Sequence, residues 1–248
     1  VYEEEENDPT HTCIPEHAFY CFDTLYTELT SAAPIEPMFE DLKYPLFVTW
    51  NTRSSRAGGG VRLRGCIGTF EPVSLREGLA EYALISAFKD RRFTPIQEKE
   101  LPRLECGISL LTDFEDAENY LDWTVGKHGI YITFPDPLTL PVAPPQSSTP
   151  TPMSSSTSVA QVPNKPSRSL WGSSARSSGR TYNATYLPEI APAQGWSKVE
   201  AVDSAIRKAG WEGRIGEELR RAVKLRRYQS RKIAVGWDEY VAWREQME

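Results

Sequence analysis

The chain has 248 residues, of which 40% are hydrophobic and 11% aromatic, and this apolar content excludes a fully disordered or fibrous protein. No stretch approaches the roughly 18 consecutive apolar residues of a membrane-spanning helix, so we expect a soluble intracellular protein, cytoplasmic or nuclear, with no membrane partner. The formal net charge of −6 argues against a wholly basic nucleic-acid coat protein.

Two segments lack the periodicity of folded structure. Residues 1–12 are acidic and polar, and we interpret them as a disordered head. Residues 135–180 contain 25 Pro, Ser or Thr among 46 residues, a composition that cannot bury enough surface to offset its ordering entropy. Composition alone leaves open whether this second segment links two domains or is inserted into one.

The first patterned segments are a helix and a hairpin. Apolar residues three or four apart predict an amphipathic helix from Pro15 to Ala32. The run 45–50 is a short β-strand, and the Ser- and Gly-rich residues 54–60 turn the chain into a second strand at 61–68.

Residues in this second strand alternate. The alternation places Val61, Leu63 and Ile67 on one face of the strand. Arg62, Arg64 and Cys66 then lie on the other, so a guanidinium and a thiol are expected to share a surface.

A helix and two strands follow. Ser74 caps a helix that runs from Leu75 to about Phe88. In the strand 104–110 the even-numbered residues point inward and Glu105 points away from them, and another strand covers residues 129–134.

The last quarter of the chain repeats the mixture of helix and strand. Residues 181–186 are extended, and Ser197 with Glu200 forms a capping box for a helix that ends at Gly210. A β-leaning run at 222–235 precedes a short helix at 237–243. Strands with hairpin-type neighbours interleaved with helices predict an α+β fold with a mainly antiparallel sheet and flanking helices.

Cys66 is a candidate nucleophile. It lies between glycines and near Arg64, whose guanidinium would stabilise a thiolate, and near a turn whose backbone N–H groups would do the same. The alternative is structural, since buried cysteines often act as small apolar residues and the glycines then serve close packing.

His128 and Glu105 complete a conceivable Cys-His-acid set with Cys66. His128 begins a strand, where its ring could reach a cleft as general acid or base, and Glu105 could orient it. A structural histidine and an Arg-paired glutamate are the alternatives. The four cysteines stand singly and the three histidines show no ligand spacing, so we predict no metal site, no cofactor and free thiols.

A basic stretch runs from Arg214 to Lys232, with eight basic residues against two acids. Such a segment can contact a phosphate backbone, with an interleaved tyrosine for base stacking. The candidate contacts are Arg226, Arg227, Tyr228 and Arg231. The alternative is a solvated face, or one that pairs with the acidic head.

The sequence 63–70, Leu-Arg-Gly-Cys-Ile-Gly-Thr-Phe, resembles the signature of the AMMECR domain family. Five further stretches between residues 15 and 243 resemble the same family: Asp90-Arg91-Arg92-Phe93, Gly126-Lys127-His128-Gly129-Ile130, Thr185-Tyr186-Leu187-Pro188-Glu189, Arg207-Lys208-Ala209-Gly210 and Arg227-Tyr228-Gln229-Ser230. Two departures are the long insert after the His128 strand and Thr94 where the family more often has Pro.

The resemblance implies one α+β domain over residues 13–248, with two subdomains, a cleft between them and residues 135–180 as an insertion. It also implies that Gly65, Gly68, Arg91 and Arg92 bind substrate. A role in RNA modification has been proposed for the family. Two hypotheses follow, with RNA or a protein as the expected partner. The first is a thiol or acid–base enzyme acting on an RNA- or nucleotide-derived substrate, and the second is a non-catalytic binding or scaffold module in which the Gly-Cys-Ile-Gly motif is architectural.

Overall fold

The computed structural model describes residues 12–54, 60–136 and 181–247. The acidic head up to residue 11, the hairpin tip 55–59 and most of the predicted insertion, residues 137–180, lie outside the described residues.

Helices and strands alternate along the described chain. The helices are α1 (Pro15–Thr30), α2 (Leu75–Phe88), α3 (Ile190–Gln194), α4 (Lys198–Lys208), α5 (Glu217–Ala222) and α6 (Trp237–Met247). The strands are β1 (Lys43–Arg53), β2 (Val61–Ser74), β3 (Leu104–Asp116), β4 (Gly129–Pro135), β5 (Thr181–Tyr186) and β6 (Lys224–Gly236), and a 3-10 helix spans Glu98–Arg103.

The strands form one six-stranded sheet in the order β2-β1-β3-β6-β4-β5, and all its pairings are antiparallel. This confirms the predicted α+β class. The predicted helix starts are also confirmed: the Ser74 hydroxyl accepts from the backbone N–H of Glu77, and Ser197 and Glu200 form a reciprocal capping box. Helices α3 and α5 and the 3-10 helix were not predicted.

Helices α1, α2 and α6 cover one face of the sheet and form a core with β1 and β3. The predicted inward face of β3 is confirmed, because its four even-numbered residues from Leu104 to Leu110 are at most 1% exposed. Trp50 of β1 is fully buried among them, and its indole N–H donates to the carbonyl of Ala83 on α2 at 3.0 Å. A second core, around Ile132, Val202 and neighbouring side chains, joins β4, β5 and β6 to α4 and α5.

A β-bulge changes the predicted alternation in β2. Trp50 pairs with Gly65 while the next residue, Asn51, pairs with Leu63, so Arg64 has no counterpart on β1. An extra residue moves every side chain beyond it to the opposite face. The expectation that Leu63 and Ile67 share a face is therefore wrong: Leu63 lies on the same side of the sheet as Cys66.

Candidate functional site

A cleft of about 780 Å³ lies on the sheet face opposite the α1/α2 core. Its floor consists of side chains of β1, β2, β3 and β6, among them Phe47, Thr49, Cys66, Phe70, Ser109 and Lys232. Its far wall is the segment 185–190, which leads from β5 into α3, together with Lys208 of α4. Four of the six sequence motifs therefore meet at this cleft, since residues 63, 66 and 70, Arg92, the 185–189 segment and Lys208 all line it.

Cys66 lies in the cleft floor as a half-buried, neutral thiol. The Thr49 hydroxyl donates to its Sγ at 3.1 Å. Burial raises the pKa of Cys66, while the Thr49 hydrogen bond and the charge of Arg92 lower it by less. The thiol is thus protonated at neutral pH, opposite to the activated thiolate considered from the sequence.

Asp90 and Arg92 hold the backbone of Cys66 from outside the sheet. The Asp90 carboxylate accepts from the backbone N–H of Cys66 at 3.0 Å, and the Arg92 guanidinium donates to its carbonyl at 3.1 Å. Arg92 also binds both oxygens of Asp90, at 2.7 and 2.9 Å, and this hydrogen bonding lowers the pKa of the nearly buried Asp90 well below its usual range. Of the two arginines expected to bind substrate, Arg92 lines the cleft, whereas Arg91 is exposed and forms no ion pair within the described part of the chain.

The Arg64 side chain binds partners other than Cys66. Its guanidinium makes a bidentate ion pair with Glu100, at 2.9 and 3.1 Å, and donates to the carbonyl of Thr94 at 2.7 Å. The expectation of a shared Arg64–Cys66 surface is therefore wrong, because the bulge at Arg64 turns its side chain to the 3-10 helix. The arginine that acts electrostatically on the thiol is Arg92.

Close packing of the backbone explains why positions 65 and 68 of the motif are glycines. A Cβ on Gly65 would lie 2.2 Å from the backbone oxygen of Ser86, so its absence lets β2 approach α2. A Cβ on Gly68 would lie 2.2 Å from the oxygen of Leu46. These contacts account for both glycines without a ligand.

The conceivable catalytic set does not assemble in this structure. Glu105 lies on the cleft side of β3, but its carboxylate accepts from Arg53 at 3.0 Å and from Asn51 at 3.2 Å. Of Cys66, His128 and Glu105, only Cys66 lines the cleft.

His128 is held in a turn before β4. Its Nδ1 accepts from the backbone N–H of Thr124 at 3.0 Å. Burial, followed by the charges of Arg227 and Lys127, lowers the pKa of His128, so the ring is neutral at pH 7. These contacts hold the ring in the turn, and His128 is not among the residues that line the cleft.

The cleft contains cationic residues that sequence reasoning did not assign. Lys208 donates to the carbonyl of Thr185 at 2.8 Å, and its Nζ lies 4.5 Å from the ring centre of Tyr186. Burial lowers the pKa of Lys208, and no acid within the described residues pairs with it. Lys232 forms an ion pair with Glu189 across the cleft. The sequence contained a signal for two of these residues, because Lys208 and Glu189 lie in stretches that resemble the AMMECR domain family.

The basic stretch is largely neutralised by its own fold. On β6, Arg226 and Arg227 pair with acids of the neighbouring β3, namely Asp116 and Glu115. Arg231 pairs more loosely with Asp113, at 3.8 Å. Three of the proposed RNA contacts therefore already have acidic partners on β3.

Tyr228 is not available for base stacking. It is fully buried, it packs against Phe70 and Phe114, and its hydroxyl donates to the carbonyl of Tyr186 at 3.1 Å. A Cβ on Gly129 would lie 2.4 Å from its ring, so that glycine makes room for the tyrosine. Tyr228 therefore joins β6 to the far wall of the cleft.

Within residues 12–54, 60–136 and 181–247, no group of three His, Cys, Asp or Glu side chains is arranged to hold a metal ion. The helices in these ranges are all too short or too polar to cross a bilayer.

Comparisons with known proteins agree with the fold. The AMMECR1 family model matches residues 18–165 and 172–233. An uncharacterized protein of Arabidopsis thaliana is 44% identical over 92% of this chain and 87% of its own length, and one of Kluyveromyces lactis is 32% identical over 90% and 92%. The crystal structure of an uncharacterized protein from Pyrococcus horikoshii, 21% identical, has the same fold with a TM-score of 0.57 over 88% of this chain and 89% of that one.

Proposed function

The chain belongs to the AMMECR1 family, and from this premise we propose that its cleft binds a nucleotide or RNA-derived ligand. We place this activity inside the cell, in the cytoplasm or nucleus, where such ligands occur. The proposal treats residues 13–248 as one domain, because the sheet runs without interruption from β2 to β5.

The observation that carries the proposal is Lys208. Its ammonium group lies in the cleft wall with two neutral neighbours, the Thr185 carbonyl and the Tyr186 ring, and with no acid in the described residues to neutralise it. A cation without an ion pair is stabilised by an anionic ligand that supplies the opposite charge of the pair. Arg92 and Lys232 line the same cleft, but each is already paired with an acid, so Lys208 is the cation that an anionic ligand would neutralise.

Aromatic side chains supply the second part of a nucleotide site. Phe47 and Phe70 line the cleft and are only half buried, with ring centres 5.3 Å apart. Aromatic faces beside cations are the usual combination for binding a base together with its phosphate.

Cys66 contributes to this site as a neutral group. Its raised pKa gives little thiolate at pH 7, so the proposal contains no covalent step. For this reason the proposal combines the nucleotide or RNA-derived ligand of the first hypothesis with the non-catalytic binding role of the second.

Titration calorimetry with the four ribonucleoside monophosphates tests the proposal. At least one should bind, and Lys208→Gln should weaken it by about tenfold, which corresponds to about 1.4 kcal/mol and lies near the low end of a charge-assisted hydrogen bond. Lys198→Gln is the matched control, because Lys198 lies at the other end of α4 and also donates to a backbone carbonyl, that of Leu121. Absence of binding to all four, or equal affinity of Lys208→Gln and wild type, contradicts the proposal.

A further inference from the structure

A second pocket, of about 620 Å³, lies where the β1–β2 hairpin meets the 3-10 helix. Five cationic side chains line it, and Glu100 is the one acidic residue among its described lining residues: the cations are Arg53, Arg62, Arg64, Lys99 and Arg103. The pocket is therefore strongly positive in a chain whose net charge is −6.

Among the described residues, two of these five cations have acidic partners. Arg64 binds Glu100, and Arg53 binds Glu105 from β3. Within the described residues, the other three, Arg62, Lys99 and Arg103, are exposed and form no ion pair. Like charges gathered without counter-charges repel one another, and the arrangement is stabilised when an anion enters.

The pocket adjoins the cleft that contains Cys66. Leu63 lines both. The chain also passes directly from one to the other at two places, because Asn51 and Arg92 line the cleft while the residues that follow them, Thr52 and Phe93, line the basic pocket. A ligand longer than one nucleotide in the cleft would extend along this path.

We propose that the basic pocket formed by Arg62, Lys99 and Arg103 binds the backbone phosphates of a single-stranded oligonucleotide whose adjoining nucleotide occupies the cleft, an inference that rests on the proposed function. The ligand of the cleft is then part of a chain and not a free nucleotide.

Two observations favour a nucleic acid over an acidic peptide. Arginine presents a planar fork of donors that matches phosphate oxygens, and two of the three unpaired cations are arginines. The half-buried Phe93 adds an aromatic ring within the pocket, beside the half-buried aromatics of the cleft. A cationic groove with interspersed rings is the general design of single-strand binding surfaces.

The test compares uridine monophosphate with a short uridine oligoribonucleotide, by calorimetry and fluorescence anisotropy on the full chain. The oligonucleotide should bind more tightly, with a log–log salt slope of about −2, because each of three neutralised phosphates contributes about 0.7. Its affinity should then fall about 20-fold between about 50 mM and about 200 mM salt.

The triple variant Arg62→Gln, Lys99→Gln, Arg103→Gln should lower the oligonucleotide affinity to that of the monophosphate and leave the monophosphate affinity unchanged. The matched control removes three other exposed cations that form no ion pair with a described residue, Lys43, Lys127 and Arg214, and should retain the slope. Both triple variants change only exposed side chains, so thermal melting should confirm that they are folded.

Failure of this inference can be distinguished from failure of the proposed function. Equal affinity for monophosphate and oligonucleotide, with no effect of the triple variant, overturns this inference and leaves the proposed function standing. Binding of a glutamate-rich peptide as tightly as the oligonucleotide, with the same dependence on the three residues, also overturns it in favour of a protein partner. Absence of binding to both nucleic-acid probes overturns the proposed function and this inference together.

Discussion

Strand β1 presents two faces with opposite properties. Its core face, Leu46, Val48 and Trp50, is fully buried against the helices, whereas its cleft face, Phe47, Thr49 and Asn51, lines the candidate site. The two faces are made by alternate residues of one strand, yet only the core face is uniformly apolar. A face that need not be covered by helices is free to carry polar groups, and this is where ligand chemistry can develop.

Two cysteines show the same difference on the two strands that flank β1. Cys106 of β3 belongs to the core face and is fully buried, while Cys66 of β2 belongs to the cleft face and contacts the Thr49 hydroxyl. One residue type thus serves as a packing residue on one side of the sheet and as a site residue on the other.

The largest contrast is expected for side-chain truncation. Trp50→Ala removes a fully buried indole together with its hydrogen bond to Ala83, and it should lower the free energy of unfolding by about 3–5 kcal/mol. Thr49→Ala, on the adjacent cleft-face residue, should cost less than about 1 kcal/mol. Urea denaturation measures both, and equal losses would remove the distinction between the faces.

Two glycines test the same difference between the two faces of the sheet at the level of the backbone. Gly65→Ala should lower the free energy of unfolding by about 1–3 kcal/mol or more, because its Cβ would lie 2.2 Å from the Ser86 oxygen. Gly107→Ala faces the cleft, where the nearest atom would be 3.8 Å away, and should change stability by less than about 1 kcal/mol. Thermal melting of the two variants tests this, and a tolerated Gly65→Ala would contradict the close approach of β2 to α2.

Acid should weaken the attachment of Asp90 to β2. The hydrogen bonds from Arg92 hold the pKa of Asp90 below its unfolded value, so its contribution to stability is present above about pH 4 and is lost as the pH falls through the folded pKa. Asp90→Asn should lower the free energy of unfolding at pH 7 by about 1–3 kcal/mol. It should also make the further loss of stability at acidic pH smaller than in the wild type. Denaturation between pH 7 and pH 2 tests this, with the exposed Asp116→Asn as control. If Asp90→Asn loses stability in acid as steeply as the wild type does, the Asp90–Arg92 clamp, meaning the two side chains that bind the backbone of Cys66, is contradicted.

The smallest expected effect concerns Cys66. Because burial raises its pKa, its alkylation at pH 7 should be slower than that of a free thiol, whose pKa is about 8.5, and should accelerate only at higher pH. Thr49→Val removes the hydrogen bond that partly offsets burial and should slow alkylation further, whereas Arg64→Gln should leave it unchanged. Mass spectrometry of iodoacetamide-treated native protein provides the rates. Fast modification at neutral pH that depends on Arg64 would restore the activated-thiolate hypothesis.

The sequence predicted the features that depend on near neighbours. The alternation of β3 and the caps at Ser74 and Ser197 involve residues only a few positions apart, and their structures follow the pattern. The resemblance to the family added Arg92 and the 185–189 segment, although not their partners.

The features that escaped prediction depend on distant partners. The bulge at Arg64 depends on how β2 pairs with β1, and it reassigned the guanidinium from Cys66 to Glu100. The burial of Tyr228 depends on Gly129 and on the cleft wall at Tyr186, and residues 137–180 separate that wall from β4 in sequence. No local pattern contains this information, because periodicity shows that a face is buried but not what covers it.

The Asp90–Arg92 clamp has a further consequence for how this protein behaves in a crowded solution. Strand β2 is an outermost strand of the sheet, and the unpaired peptide groups of such an edge are a template on which a foreign strand can add. At Cys66 the outward N–H and carbonyl are already occupied by a carboxylate and a guanidinium, the same complementary donors and acceptors that an incoming strand would bring. An added strand would have to displace an ion pair to pair here, so the two side chains protect the sheet edge nearest the candidate site from self-association.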